Sequence, residues 1–141
     1  MSEELVAAVP QFNLDGISRT VGDLFFTTER LIFSQTGGKT DLIQFVFGFI
    51  GSAIAARKSR EASAALRHRP VQELAAGARE IYNFVDLEKV IVKPRNLRSS
   101  VVILVPRMGK HRKFWGKRKE LQELLSAIDR LSATGLQIDV A

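Results

Sequence analysis

The chain opens with a short apolar run, Leu5–Val9, closed by Pro10, which predicts an edge strand. Gln11–Thr20 holds Asn13, Asp15 and Gly16 and is expected to turn. Val21–Thr28 is rich in aromatic and β-branched residues, and Leu31–Ser34 follows after Glu29-Arg30. Two such strands around a tight turn predict a hairpin, with Gly37-Gly38 closing the second. Leu42–Ala56 then runs fifteen residues without a charge, and Arg57–Arg69 is Ala-rich and basic. Pro70 followed by Val71–Ala76 and Gly77 reads as a short helix with a Pro start and a Gly stop. Ile81–Leu87, Val90–Lys93, Val101–Val105 and Arg112–Trp115 read as further strands, the third apolar enough to be covered on both faces. Asn96–Ser100 is a loop carrying Arg98, and Met108–Lys110 turns through Gly109. From Lys117 the period becomes helical: Leu121, Leu124, Leu125, Ile128 and Leu131 form one stripe, with Gly135 ending the region. Leu136–Ala141 is expected as a tail or an added edge strand.

This order predicts a single α+β domain over residues 1–141, a bent antiparallel sheet or small barrel capped by a C-terminal amphipathic helix. A helical insertion spans residues 41–80. If the terminal stripe is buried, Leu124→Ala or Leu125→Ala should cost ~2–5 kcal/mol.

Composition narrows the chemistry. With 45% hydrophobic and 26% charged residues over 141 positions, the chain can build one core. It has no cysteine and two histidines, which removes thiolate nucleophiles, disulfides and Cys- or His-rich metal centres. His68 and His111 each lie between two cations, which repel a metal ion. Gly37-Gly38-Lys39-Thr40 imitates the end of a phosphate-binding loop, but Phe33 stands where the first glycine is required. No cofactor, metal site or catalytic constellation is expected.

Charge points to binding. The net charge is +6, but residues 1–50 carry −3 and the remainder +9. Such asymmetry favours an anionic partner, whether membrane surface, nucleic acid or acidic protein, without choosing among them. Two groups of residues are candidates. Arg107, Lys110, Arg112, Lys113, Lys117, Arg118 and Lys119 form a basic run interleaved with Phe114 and Trp115. For the two aromatics the plainer reading is that both anchor the last strand in the core, while the cations read equally as an anion-binding surface or a solvated face. The second group is the insertion. Phe45, Phe47, Phe49 and Ile50, with the small Gly48 and Gly51, precede Arg57, Lys58 and Arg60. This segment can be buried on the sheet, form a self-association interface or lie at a bilayer interface. It is short for a spanning helix. Nucleic acid ranks below these partners because no recognition motif accompanies the charge. The acidic start, Met1-Ser2-Glu3-Glu4, is unlike a secretory leader, so the expected location is cytoplasmic, with peripheral membrane contact.

Gly22-Asp23-Leu24-Phe25-Phe26-Thr27-Thr28-Glu29-Arg30-Leu31-Ile32-Phe33 resembles the G-x-L-aromatic-x-T-x-x-R-L-aliphatic-F hairpin of GRAM and bacterial PH-like domains. Phe84–Val90 is similar to a later strand-and-turn segment of that family, and the terminal helix fits its end. The resemblance implies two orthogonal antiparallel sheets, a capping helix and a binding or adaptor role rather than catalysis. Two departures stand out. Asp41–Glu80 interrupts the strand order, and Gln11–Thr20 offers Arg19 alone beside Asp15, so phosphoinositide recognition is not carried over.

Overall fold

A computed structural model describes residues 3–14, 20–38 and 70–141. Eight strands form one hydrogen-bonded sheet: β1 (Leu5–Leu14), β2 (Thr20–Thr27), β3 (Arg30–Gly38), β4 (Glu80–Asn83), β5 (Leu87–Pro94), β6 (Ser99–Pro106), β7 (Arg112–Lys117) and β8 (Ile138–Val140). The order is β4-β3-β2-β1-β7-β6-β5-β8. Every strand pair is antiparallel except β5–β8. Helix α1 (Val71–Ala76) precedes β4. A 3-10 turn (Arg118–Leu121), α2 (Gln122–Ser126) and α3 (Ile128–Ala133) follow β7. The domain is α+β, and its sheet is largely antiparallel.

The sheet curls on itself. Strands β4 and β7 are four places apart in its order, roughly 19 Å if the sheet were flat. Yet the Arg112 guanidinium on β7 meets the Glu80 carboxylate on β4, with Nε–H donating to Oε1 at 2.9 Å. Phe33 of β3 and Phe114 of β7 also stack inside the curl, their centroids 4.9 Å apart. The main core fills this interior with Phe12, Phe26, Phe33, Leu104, Phe114 and Leu124, among others. Gly116 is what lets β7 close: a Cβ there would lie 2.4 Å from the Phe12 ring.

The hairpin residues that carry the family resemblance build the fold. A Cβ at Gly22 would lie 2.3 Å from the Ser34 carbonyl oxygen across the strand pair. Thr27 Oγ1 accepts the backbone N–H groups of Glu29 and Arg30, which sets the turn. Arg30 Nε donates to Glu3 at 2.9 Å and ties the N-terminal segment down.

Several expectations are corrected. The first strand is neither short nor at an edge: β1 runs on through Gln11–Leu14 and sits between β2 and β7. Pro10 is tolerated because the register shifts between Val9 and Phe12, and such a bulge needs no ladder N–H from proline. Gly37-Gly38 does not turn; both residues pair with β2 at Val21 and Thr20. The strand expected over Ile81–Leu87 stops at Asn83, and a 3-10 turn covers Phe84–Asp86. The C-terminal helix is broken at Ala127, whose φ −101 and ψ 4 leave the helical region. The break lets Leu121, Leu124 and Leu131 follow the curved sheet, while Leu125 is left 42% exposed and Ile128 half-buried. Gly135, at φ +97, stops α3 as expected, and the added edge strand is present as β8.

Of the insertion, α1 is described, with Leu74 on Ala8, Phe25 and Ile32 of the outer sheet face. Phe45, Phe47, Gly48, Phe49, Ile50, Gly51, Arg57, Lys58, Arg60 and His68 lie outside the described residues. Among the described residues, no helix is long and apolar enough to cross a membrane.

Candidate anion-binding face

Alternation along β7 sorts the basic run. Phe114 and Gly116 are buried and face the core with Arg112, so Lys113, Trp115 and Lys117 face outward. Pairing then sets the outer neighbours. Lys93, Val101, Trp115 and Asn13 form one row across β5, β6, β7 and β1. Ile91, Ile103 and Lys113 form the next, and Ser99 pairs with Lys117. Phe114 therefore anchors the strand as expected, whereas Trp115 belongs to the surface.

The turn between β5 and β6 adds cations to this face. Asn96 Oδ1 accepts the backbone N–H groups of Arg98 at 2.9 Å and Ser99 at 2.8 Å. Arg95 N–H donates to the Ser99 carbonyl at 2.9 Å. Held this way, the turn lays the Arg95 guanidinium over Trp115, 4.4 Å from the ring centroid. The Arg118 N–H donates to the Arg98 carbonyl at 2.8 Å, joining the 3-10 turn to the same tip.

Two open grooves meet here. One, of about 510 Å³, is lined by Gln11, Asn13, Trp115, Lys117, Lys119 and Glu120, among others. The other, of about 500 Å³, is lined by Leu97, Arg98, Ser99, Lys117, Arg118 and Lys119. Gln11 occupies the left-handed region at φ +59, and its backbone N–H donates to Oδ1 of the buried Asp23 at 3.1 Å. The groove wall is thus fixed by an internal carboxylate rather than by solvent.

Lys93, Arg95, Arg98, Lys113, Lys117, Arg118 and Lys119 share this region, and none is ion-paired with another described residue. Their mutual repulsion is relieved by solvent or by an anionic partner.

The other members of the basic run lie elsewhere. The length of β7 puts Lys110 about 20 Å from Lys117. At that end Arg107 Nε donates to the Val85 carbonyl at 2.9 Å. Arg112 is held by Glu80 and by the hydroxyl of Tyr82, which itself donates to Glu80. Burial, with the bond to Glu80, pushes the Tyr82 phenol up to about 12. The bond to Glu80 also holds Arg112 above the ordinary guanidinium range. The sequence run is therefore two clusters, and Arg112 is committed to closing the curl. At the β5–β8 edge, Asp139 lies below its ordinary value through its bond from Gln137 and then Lys89.

Lys93, Arg95, Leu97 and Arg98 were not among the sequence candidates. The signal for them is the absence of acid: from Lys89 to Lys119 there are eleven cations and no Asp or Glu. Among the described residues, no three His, Cys, Asp or Glu side chains group as metal ligands.

No protein family and no curated protein matches this chain.

Proposed function

We propose that the chain is a PH-like, non-enzymatic binding module that engages an anionic membrane surface through the outer face of β5–β7. The fold half of this reading is supported by the strand order, by a curl that brings β4 onto β7, and by the structural duties of Gly22, Thr27 and Arg30. In the PH-like description, β1 bends at Pro10-Gln11 to serve two sheets, and α2–α3 cap one end of a small barrel.

The observation that carries the functional half is the gathering of seven cations, unpaired among the described residues, around Trp115. Each Lys or Arg at an anionic bilayer contributes ~1 kcal/mol, so the face suffices for salt-sensitive association without an enclosed pocket. The apolar insertion of residues 42–56 adds anchoring in this reading.

The test is flotation of the full chain with phosphatidylcholine vesicles, with and without phosphatidylserine, at low and high salt. Flotation only with the anionic vesicles, lost at high salt, is the expected result. Equal flotation with both vesicles would assign binding to the apolar insertion alone and overturn the role of the basic face. No flotation, with a stable oligomer in solution, would favour a self-associating scaffold instead.

A further inference from the structure

Two apolar side chains stand out from turns at opposite ends of β6. Leu97, at the β5–β6 turn, is 92% exposed, and Met108, at the β6–β7 turn, is 90% exposed. The length of β6 separates them by more than ~20 Å. One flat bilayer cannot take both with the strands upright. Their charged surroundings differ. Around Leu97 stand Arg98, Lys117, Arg118 and Lys119, with Arg95 clamped on Trp115, and none is ion-paired among the described residues. Around Met108 the cations are partly spent: Arg107 is bonded to Val85 and Arg112 to Glu80, and Asp86 lines the same groove.

We propose that Leu97 is the residue that enters the boundary between headgroups and acyl chains, so that the domain stands on its β5–β6 turn. This rests on the membrane reading above. The turn is built for it. Asn96 Oδ1 takes two N–H groups, the Ser99 carbonyl takes those of Arg95 and Asn96, and Arg118 bonds to Arg98. Leu97 is thereby presented on a backbone that has little freedom left to lose on docking. The cations on either side meet headgroup phosphates while the leucyl side chain passes between them. A lone exposed leucine is ordinary on a protein surface. A leucine at the tip of a bonded turn, ringed by cations without a described acidic partner, matches the layered chemistry of an anionic bilayer.

The chain has no cysteine, so single labels can be placed cleanly. Leu97→Cys and Met108→Cys, each carrying a polarity-sensitive fluorophore, are titrated with phosphatidylserine-containing and pure phosphatidylcholine vesicles. With the anionic vesicles, emission at position 97 should rise and shift to the blue, and nitroxide placed on the acyl chains should quench it. The label at 108 should not respond. Flotation that persists while label 97 stays unchanged, or a response at 108 instead, overturns the orientation and leaves the membrane reading standing. Failure of the unlabelled protein to float overturns both. Leu97→Asp provides a label-free check, because so exposed a position tolerates it without unfolding. It should weaken partitioning about tenfold, with the salt dependence retained. Unchanged partitioning of that variant would also overturn the inference.

Discussion

Outside β2 and β3 the sheet has a roof; outside β5–β7 it has a charged face. On the first half, Phe25 and Ile32 point away from the main core, yet both are fully buried, with Leu74 of α1 against them. On the second, the outward row is Lys93, Val101, Trp115, and two lysines flank Trp115 along its own strand. The two halves share one core and one hydrogen-bonded ladder, so the difference comes from what each outer face meets. A strand covered on both sides can be apolar at every position, as Leu24-Phe25-Phe26 and Leu31-Ile32-Phe33 are. Arg112–Lys117, at the open part of the second face, alternates, whereas β6 beside it keeps Ile103 and Val105 buried on the same side. The chain's uneven charge follows the same division, with its excess of cations beyond residue 50.

This contrast can be broken at graded cost. Phe25→Ala should destabilise the protein by about 3–5 kcal/mol in chemical denaturation, although Phe25 lies outside the main core. A loss below about 1 kcal/mol would mean that its face is open after all. Next, Leu124→Ala should cost about 2–5 kcal/mol, whereas Leu125→Ala should cost less than about 1, because Leu125 faces solvent. Equal losses would restore the single buried stripe that the periodicity suggested.

Smaller still is the tie between β4 and β7. Glu80→Gln should cost about 1–2 kcal/mol, moderated because Arg112 is 37% exposed. Tyr82 reports on the same tie. Its phenol stands at about 12 when folded against an ordinary 10, so the fold favours the protonated form. That contribution is intact below pH 10 and is lost as pH rises towards 12. Tyr82 is the only tyrosine, so tyrosinate absorbance reads it directly. The folded protein should titrate near 12, and Glu80→Gln should lower the midpoint. A midpoint near 10 in the folded wild type would contradict the half-buried, Glu80-bonded placement of Tyr82. The smallest effect on stability belongs to the open face: Arg98→Glu and Lys117→Glu should each change it by less than about 0.5 kcal/mol in the same denaturation assay.

Much of this division can be read in the residues. The hairpin of β2 and β3, the apolar strand over Val101–Val105 and the Pro-led α1 follow from local composition and period, while the sequence leaves Leu136–Ala141 open between a tail and the edge strand that β8 forms. Other features depend on distant parts of the chain. Pro10 signals an edge, and only the bulge beside Gln11, bonded to Asp23 twelve positions away, lets it lie mid-sheet. The leucine stripe after Lys117 is periodic, but the sheet beneath it is curved, so the helix breaks at Ala127 to keep Leu131 buried. The basic run looks continuous because charge density ignores strand direction. Alternation turns Arg112 inward, and the length of β7 carries Lys110 away from Lys117. Arg95 and Arg98 join the face only because the β5–β6 turn folds back beside the end of β7.

The most direct test of a functional open face compares two charge reversals of equal size. Arg98→Glu with Lys117→Glu alters the cluster around Trp115, and Arg107→Glu with Lys110→Glu alters the opposite end. Binding of each full-length variant to phosphatidylserine-containing vesicles is measured at 0.1 M salt, where screening acts over about 10 Å. The first pair should lose at least about thirtyfold in affinity, and the second less than about threefold. Equal losses would mean that net charge alone drives binding and that the face around Trp115 has no special part in it.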